Sequence, residues 1–131
     1  MSAFIPLLLL GCVPPPALCS ETGNGVGECA PLLELPRSNG EAWSLADQLN
    51  RVVLVQFAAS WCGVCQATAP VDQALHTSYS GDGFMKVTVL KGDADFESAD
   101  QSDAQEWKDF FELTHPVLYD EDKTAWDTWR R

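Results

Sequence analysis

The chain has 131 residues, of which 19 are acidic and 8 basic, for a formal net charge of −11 at pH 7. A chain of this length holds one domain with a modest core. The acidic surplus argues against nucleic acid or anionic lipid headgroups as partners of the folded part, and reads as a solubilising surface.

In chain order, residues 1–29 read as a leader and tether, ahead of a folded domain over residues 30–131. The apolar run Phe4-Ile5-Pro6-Leu7-Leu8-Leu9-Leu10 is too short to span a bilayer. Leu9-Leu10-Gly11-Cys12 resembles the bacterial lipobox, whose Cys is lipidated and becomes the new N-terminus; this implies that Cys12 anchors the chain to the membrane of a bacterial cell envelope. No Lys or Arg precedes the apolar run, and Leu10 stands where the lipobox carries a smaller residue. Cleavage by an ordinary signal peptidase near Ala17-Leu18-Cys19-Ser20 is the alternative, and either route implies export. Pro14-Pro15-Pro16 and the Gly-rich run that follows make a semi-extended tether. With lipid on Cys12 and a pair at Cys62 and Cys65, Cys19 and Cys29 remain as an even set for a second disulfide in an oxidising compartment, two unpaired linker cysteines being the alternative.

The folded part is read as α/β. A short strand is expected near Leu32 to Leu35, a turn at Ser38-Asn39-Gly40 and a helical turn from Ser44 to Leu49. Val52 to Phe57 is apolar on both faces, as a buried parallel strand requires. A helix follows from Cys62 to about Tyr79, with Val71, Leu75 and Ser78 on one side, and Gly81-Asp82-Gly83 ends it. Phe84 to Leu90 is the next strand, parallel to Val52 to Phe57 through a right-handed crossover. After an acidic loop from Asp93 to Glu97, Ser102 with Gln105 reads as a capping box. Ala104, Trp107, Phe110 and Phe111 then form the buried face of a second helix. Val117 to Tyr119 is a short strand, and Lys123 to Arg130 a last helical segment with Trp126 and Trp129 on one side.

The most informative stretch is Trp61-Cys62-Gly63-Val64-Cys65, placed where a strand ends and a helix begins. Two intervening residues let one helical turn bring both sulfurs within disulfide reach. The first Cys meets the unpaired N–H groups and positive dipole end of the helix, which favour its thiolate. Cys62 is therefore the expected nucleophile and Cys65 the resolving thiol. Half of a zinc site is the other reading, but Cys12, Cys19, Cys29, His76 and His115 supply no second closely spaced pair, so no metal site is assigned. No cofactor is called for. The acidic residues from Asp93 to Asp103 lack calcium-loop spacing and read as a solvated loop.

Gln56-Phe57-Ala58-Ala59-Ser60-Trp61-Cys62 resembles the active-site entry of the thioredoxin superfamily, and Pro70 falls where that superfamily kinks its active-site helix. The lead-in from Leu32 to Leu49, the stretch Pro116-Val117-Leu118-Tyr119-Asp120 and the following Lys123-Thr124-Ala125-Trp126 are similar to membrane-tethered TlpA/ResA-type proteins. The resemblance implies a thioredoxin-like fold, a Cys62–Cys65 thiol–disulfide oxidoreductase site with Trp61, Gly63, Val64 and Pro70 in support, and protein thiols or disulfides as partners. Gln56 replaces the buried Asp of thioredoxins, and Gly63-Val64 their Gly-Pro. Against the superfamily pattern the closing hairpin and helix are expected to be missing after Arg131, leaving an exposed sheet edge. Pro116 is either the cis-proline of that pattern or, better, the residue that leads into the short strand before it.

The competing class is a metal-handling or scaffold protein on the same fold, with the two cysteines as copper ligands and His76 or His115 as a relay. A peroxiredoxin is disfavoured because Ala59 stands where that family has a Thr or Ser three residues before its reactive Cys.

Overall fold

The computed structural model describes Cys19 and residues 21–131. It divides into two units, Met1–Ala30 and Pro31–Arg131. In the first, Cys19 is disulfide-bonded to Cys29 with Cα atoms 5.1 Å apart. The Cys29 N–H donates to the Glu21 carbonyl at 2.7 Å and the Gly23 N–H to the Cys29 carbonyl at 2.9 Å, so the Gly-rich stretch is a closed loop. The lipidation candidate, Cys12, lies outside the described residues.

The second unit opens with an antiparallel hairpin of β1 (Glu34–Pro36) and β2 (Ala42–Ser44), Leu35 pairing with Trp43. The first strand is thus two residues later than its apolar pattern suggests. β2 was not expected at all, because three residues are too few to show a period. A 3-10 turn at Leu45–Gln48 follows, Ser44 Oγ accepting from the Ala46 N–H.

β3 (Val52–Ala59), β4 (Phe84–Gly92) and β5 (Val117–Tyr119) make a parallel sheet in the order β3-β4-β5. The expected crossover is present: β3 runs into α1 (Gly63–Tyr79), which returns to β4 with Val52 beside Phe84 and Phe57 beside Val89. Gly83 ends the intervening 3-10 turn with φ +83, a left-handed conformation that lacks the Cβ penalty only for glycine. Gly92 serves a different need. A Cβ there would meet Trp61 Nε1 at 3.1 Å and the Glu97 carbonyl oxygen at 3.3 Å.

Alternate residues of each strand supply two cores. Ala58, Leu90 and Val117 pack with Ala69 of α1 and with Ala104 and Trp107 of α2 (Gln101–Phe110). Val87, Val89 and Leu118 pack on the opposite face with Leu33, Trp43 and Ala125. Ala125 belongs to α3 (Thr124–Trp129), and Trp126 and Trp129 both reach the Phe57 ring, at 5.5 and 6.2 Å between centroids. β4, the middle strand, is buried from Lys86 to Leu90, whereas β3 lies at the edge of the described sheet with Val52 71 % and Leu54 41 % exposed, so the buried strand expected from Val52 to Phe57 is fully buried only beyond it, at Ala58 and Ala59.

Three local expectations are corrected. The capping box is Asp100 with Asp103, not Ser102 with Gln105: Asp100 Oδ1 accepts from the Ser102 and Asp103 N–H groups, and Asp103 Oδ2 from the Asp100 N–H at 2.8 Å. Two short carboxylates fulfil both halves of the box. Phe110 is 80 % exposed rather than buried, because the packed stripe of α2 is Ala104, Trp107 and the half-buried Phe111. The inward face of α1 is Cys65, Thr68, Ala69, Asp72 and His76, while Val71 is 66 % exposed and Ser78 is also exposed. Polar residues face inward there because polar residues of the sheet await them. No peptide among the described residues is cis; Pro116 instead leads into β5, its carbonyl accepting from the Thr88 N–H at 3.1 Å.

Candidate active site

The C-terminal end of β3 delivers the chain to Cys62, which is the N-cap of α1. Its Sγ accepts from the Cys65 N–H at 3.2 Å, so the sulfur occupies the place where a capping oxygen usually satisfies an orphan donor. Cys62 and Cys65 are disulfide-bonded, with Cα atoms 5.2 Å apart. Both are half-buried, and Cys65 packs against the core cluster of Ala58 and Ala69. On reduction the same N–H and the positive end of α1 would stabilise a Cys62 thiolate.

The flanking residues are arranged around this turn. Trp61 is 45 % exposed and stacks on Phe96 at 5.4 Å, with Lys91 Nζ 5.7 Å from its ring. Gly63 has open space around its Cα, and Val64 is 75 % exposed, so the two residues between the cysteines face solvent. Pro70 lies inside α1 on its exposed side, where the missing N–H leaves a gap in the helical ladder. Asp93 Oδ1 accepts from the Asp95 and Glu97 N–H groups at 2.9 and 2.8 Å, which closes the acidic loop on itself.

Beneath the dithiol lies a polar layer between α1 and the sheet that the sequence did not reveal. Gln56 Nε2 donates to Thr68 Oγ1 at 3.4 Å, and Thr68 Oγ1 donates to the Cys65 carbonyl at 3.2 Å. Gln56 Oε1 accepts from Lys86 Nζ, and Lys86, 1 % exposed, forms an ion pair with Asp72 at 3.4 Å. Burial pushes the Lys86 ammonium below its usual range, and the Asp72 carboxylate opposes that shift. His115 is fully buried. Its Nδ1 is 3.2 Å from Gln73 Oε1, an oxygen that only accepts, so Nδ1 carries the proton and Nε2 accepts from the Thr88 hydroxyl at 3.0 Å. Burial, then the positive charges of His76, Lys86 and Lys108, bring its pKa down to about 3. Burial, then Lys108, lowers His76 as well, and His76 Nδ1 accepts from the Lys86 N–H at 3.4 Å.

His76 and His115 touch each other, with ring centroids 5.6 Å apart, and both nitrogens of His115 are engaged within the protein. Among the described residues no group of three or more His, Cys, Asp or Glu side chains is placed to hold a metal. No described helix is long and apolar enough to cross a membrane.

A parallel sheet with a half-buried dithiol at the strand-to-helix turn defines a thioredoxin-like protein. The chain belongs to the AhpC/TSA family, whose sequence model matches residues 26–130. It is similar to the thioredoxin-like protein YneN of Bacillus subtilis (strain 168), 34 % identical over 102 residues that make up 76 % of this chain and 56 % of YneN. Among solved structures it is similar to a Chlorobium tepidum protein described as the thiol:disulfide interchange protein DsbE. That match has a TM-score of 0.63 and 29 % identity, over 77 % of this chain and 64 % of the other. A secreted Mycobacterium tuberculosis disulfide oxidoreductase shares the fold, with a TM-score of 0.62 and 18 % identity over 74 % of this chain and 66 % of that one. The chain thus spans between half and two-thirds of the length of YneN and of the Chlorobium protein.

Proposed function

We propose that the chain is an exported thiol–disulfide oxidoreductase, with a leader and tether over residues 1–29 and a redox domain over 30–131. The observation that carries the reading is Cys62 at the N-cap of α1, accepting from the Cys65 N–H and disulfide-bonded to Cys65. Family membership and the likeness to a protein described as a disulfide interchange protein support it. In the reducing direction the Cys62 thiolate attacks one sulfur of a substrate disulfide, forming a Cys62–substrate disulfide and releasing the other sulfur as a thiolate. Cys65, as thiolate, then attacks Cys62 Sγ, forming the Cys62–Cys65 disulfide and releasing the second substrate thiolate. Two electrons pass from the dithiol to the substrate, and solvent protons neutralise the thiolates that leave. Run backwards, the same steps oxidise a protein dithiol. The Cys65 proton has no buried carboxylate at position 56 to accept it, because Gln56 does not titrate, so it passes to water or to the departing thiolate.

Export is supported by the leader reading and by the Cys19–Cys29 disulfide, which suits an oxidising compartment. Lipid on Cys12 would fix the chain to the membrane, with protein thiols and disulfides of the cell envelope as substrates and no role for nucleic acid. Alkylation of the reduced protein near pH 7 should modify Cys62 first, and Cys65→Ser should accumulate mixed disulfides on Cys62. Preferential labelling of Cys65, or no mixed disulfide from Cys65→Ser, would overturn the assignment. Expression in a bacterium should give acyl mass on Cys12, and a soluble form beginning near Ser20 would refute the anchor.

A further inference from the structure

One groove of about 660 Å³ runs from the dithiol turn along α2. Its near end is Ser60, two residues before Cys62, and Gln66, the residue after Cys65, joined by a Gln66 Nε2 to Ser60 carbonyl hydrogen bond of 2.6 Å. Its floor is aromatic: Trp107 and Phe111 are 4.7 Å apart between centroids and Phe111 and Phe110 4.8 Å, with Phe110 left 80 % exposed. Trp107 is 6 % exposed, and its indole N–H has no hydrogen-bond partner.

The rim has one sign of charge. Asp103, Glu106 and Asp109 line the groove and no Lys or Arg does. Lys108, the one cation of α2, is turned to the opposite side, where Nζ donates to the His115 carbonyl at 3.1 Å. Asp103 is held by the capping box and Asp109 accepts from Gln105, while the Glu106 carboxylate makes no hydrogen bond or ion pair. Whatever occupies this groove must bring apolar surface for the rings and positive charge for the rim. A second copy of this chain, with its net charge of −11, is poorly suited to do so.

We propose that this groove docks a basic polypeptide segment next to the cysteine that reacts with Cys62, so that the protein selects cationic, apolar substrate segments. This rests on the reading of Cys62 and Cys65 as an exchange dithiol. The groove begins within two residues of each sulfur, so a segment laid along it continues directly into the reacting disulfide. Complementary charge raises the encounter rate and positions the segment, and salt weakens both effects.

The test uses two synthetic peptides with one internal disulfide, alike except for three Lys in one and three Glu in the other. The uncharged bis(2-hydroxyethyl) disulfide serves as a third oxidant of the reduced protein. At low ionic strength the Lys peptide should react about tenfold faster than the Glu peptide, an advantage that shrinks as salt is added. Glu106→Lys with Asp109→Lys, both at exposed positions, should remove or reverse the preference. Phe110→Ser should slow the Lys peptide severalfold and leave the uncharged disulfide unaffected. Asp47→Lys with Asp82→Lys changes net charge equally near the far ends of β3 and β4, and should preserve the preference. Equal rates for the two peptides, or an equal effect from the remote pair, would overturn the proposal. Failure to react with the uncharged disulfide would refute the exchange reading instead. In that event calorimetric binding of the Lys peptide with Ser in place of Cys still decides the groove: binding lost in Glu106→Lys with Asp109→Lys supports it, and binding absent or unchanged in that variant overturns it.

Discussion

Lowering the pH should cost this fold more stability than its carboxylates alone would take, because of His115. Its side chain is fully buried, and its pKa falls from 6.5 to about 3 in the folded protein. A group whose folded pKa is depressed contributes stability that is complete above its unfolded pKa and is lost as pH falls towards its folded pKa. Here the loss starts near pH 6.5 and ends near pH 3. Within that window the unfolded chain binds about one proton more than the folded one, so stability falls by about 1.4 kcal/mol per pH unit, or about 3 kcal/mol between pH 6.5 and 4. That is a large share of the roughly 5–15 kcal/mol that holds a typical domain together. Burial raises Asp103 and Asp120 in the folded state, which adds stability as pH falls and partly masks the effect. The measurement is therefore a comparison. Urea unfolding of the wild type and His115→Gln at pH 7, 6, 5 and 4.5 should show the difference in unfolding free energy shifting by about 2 kcal/mol in favour of the variant towards low pH. Parallel pH dependences would refute the buried neutral imidazole.

Two further outcomes follow from the same interior. Asp72→Asn leaves Lys86 buried with only the Gln56 amide oxygen beside it and should cost about 3 kcal/mol. Adding Lys86→Met should recover most of that loss in denaturant unfolding, and a cost for Asp72→Asn below about 1 kcal/mol would mean that water already solvates the ammonium. Gly92→Ala places a methyl 3.1 Å from Trp61 Nε1 and should push the indole off Phe96, changing the near-ultraviolet circular dichroism and costing about 1–3 kcal/mol. An unchanged spectrum would show that Trp61 yields without leaving the stack.

The dithiol turn, the crossover from β3 through α1 to β4, and β5 were all legible in the sequence, because each depends on a local signal: an apolar run, a Cys spacing, a turn glycine. β2 was not, since a three-residue strand carries no periodicity. The face of α1 was misread because Val71 and Leu75 invite a hydrophobic stripe, whereas the sheet presents Gln56, Lys86, Thr88 and the neighbouring His115 to Thr68, Asp72, Gln73 and His76. Neither half of that match is visible until the two elements are brought together. Lys86 in particular reads as a solvent residue in an alternating strand, and it is Asp72 of α1 and Gln56 of β3, both distant in sequence, that make its burial tolerable.

Because α1 is bonded to its sheet by directional contacts at Thr68, Asp72 and His76, and through Gln73 to Thr114 and His115 ahead of β5, as well as by packing, its rotation about its own axis is fixed in a way that interchangeable apolar contacts would not fix it. An atom about 5 Å from a helix axis moves nearly 1 Å when the helix turns by about 10°. A misplacement of about 1 Å in a reacting group can cost on the order of a hundredfold in rate. In the exchange proposed for Cys62, the row of bonds along the inner face of α1 would act as the aiming mount for the sulfur at its tip: loosening it at Asp72 or Gln73 would then alter the line of attack on a disulfide without touching a cysteine.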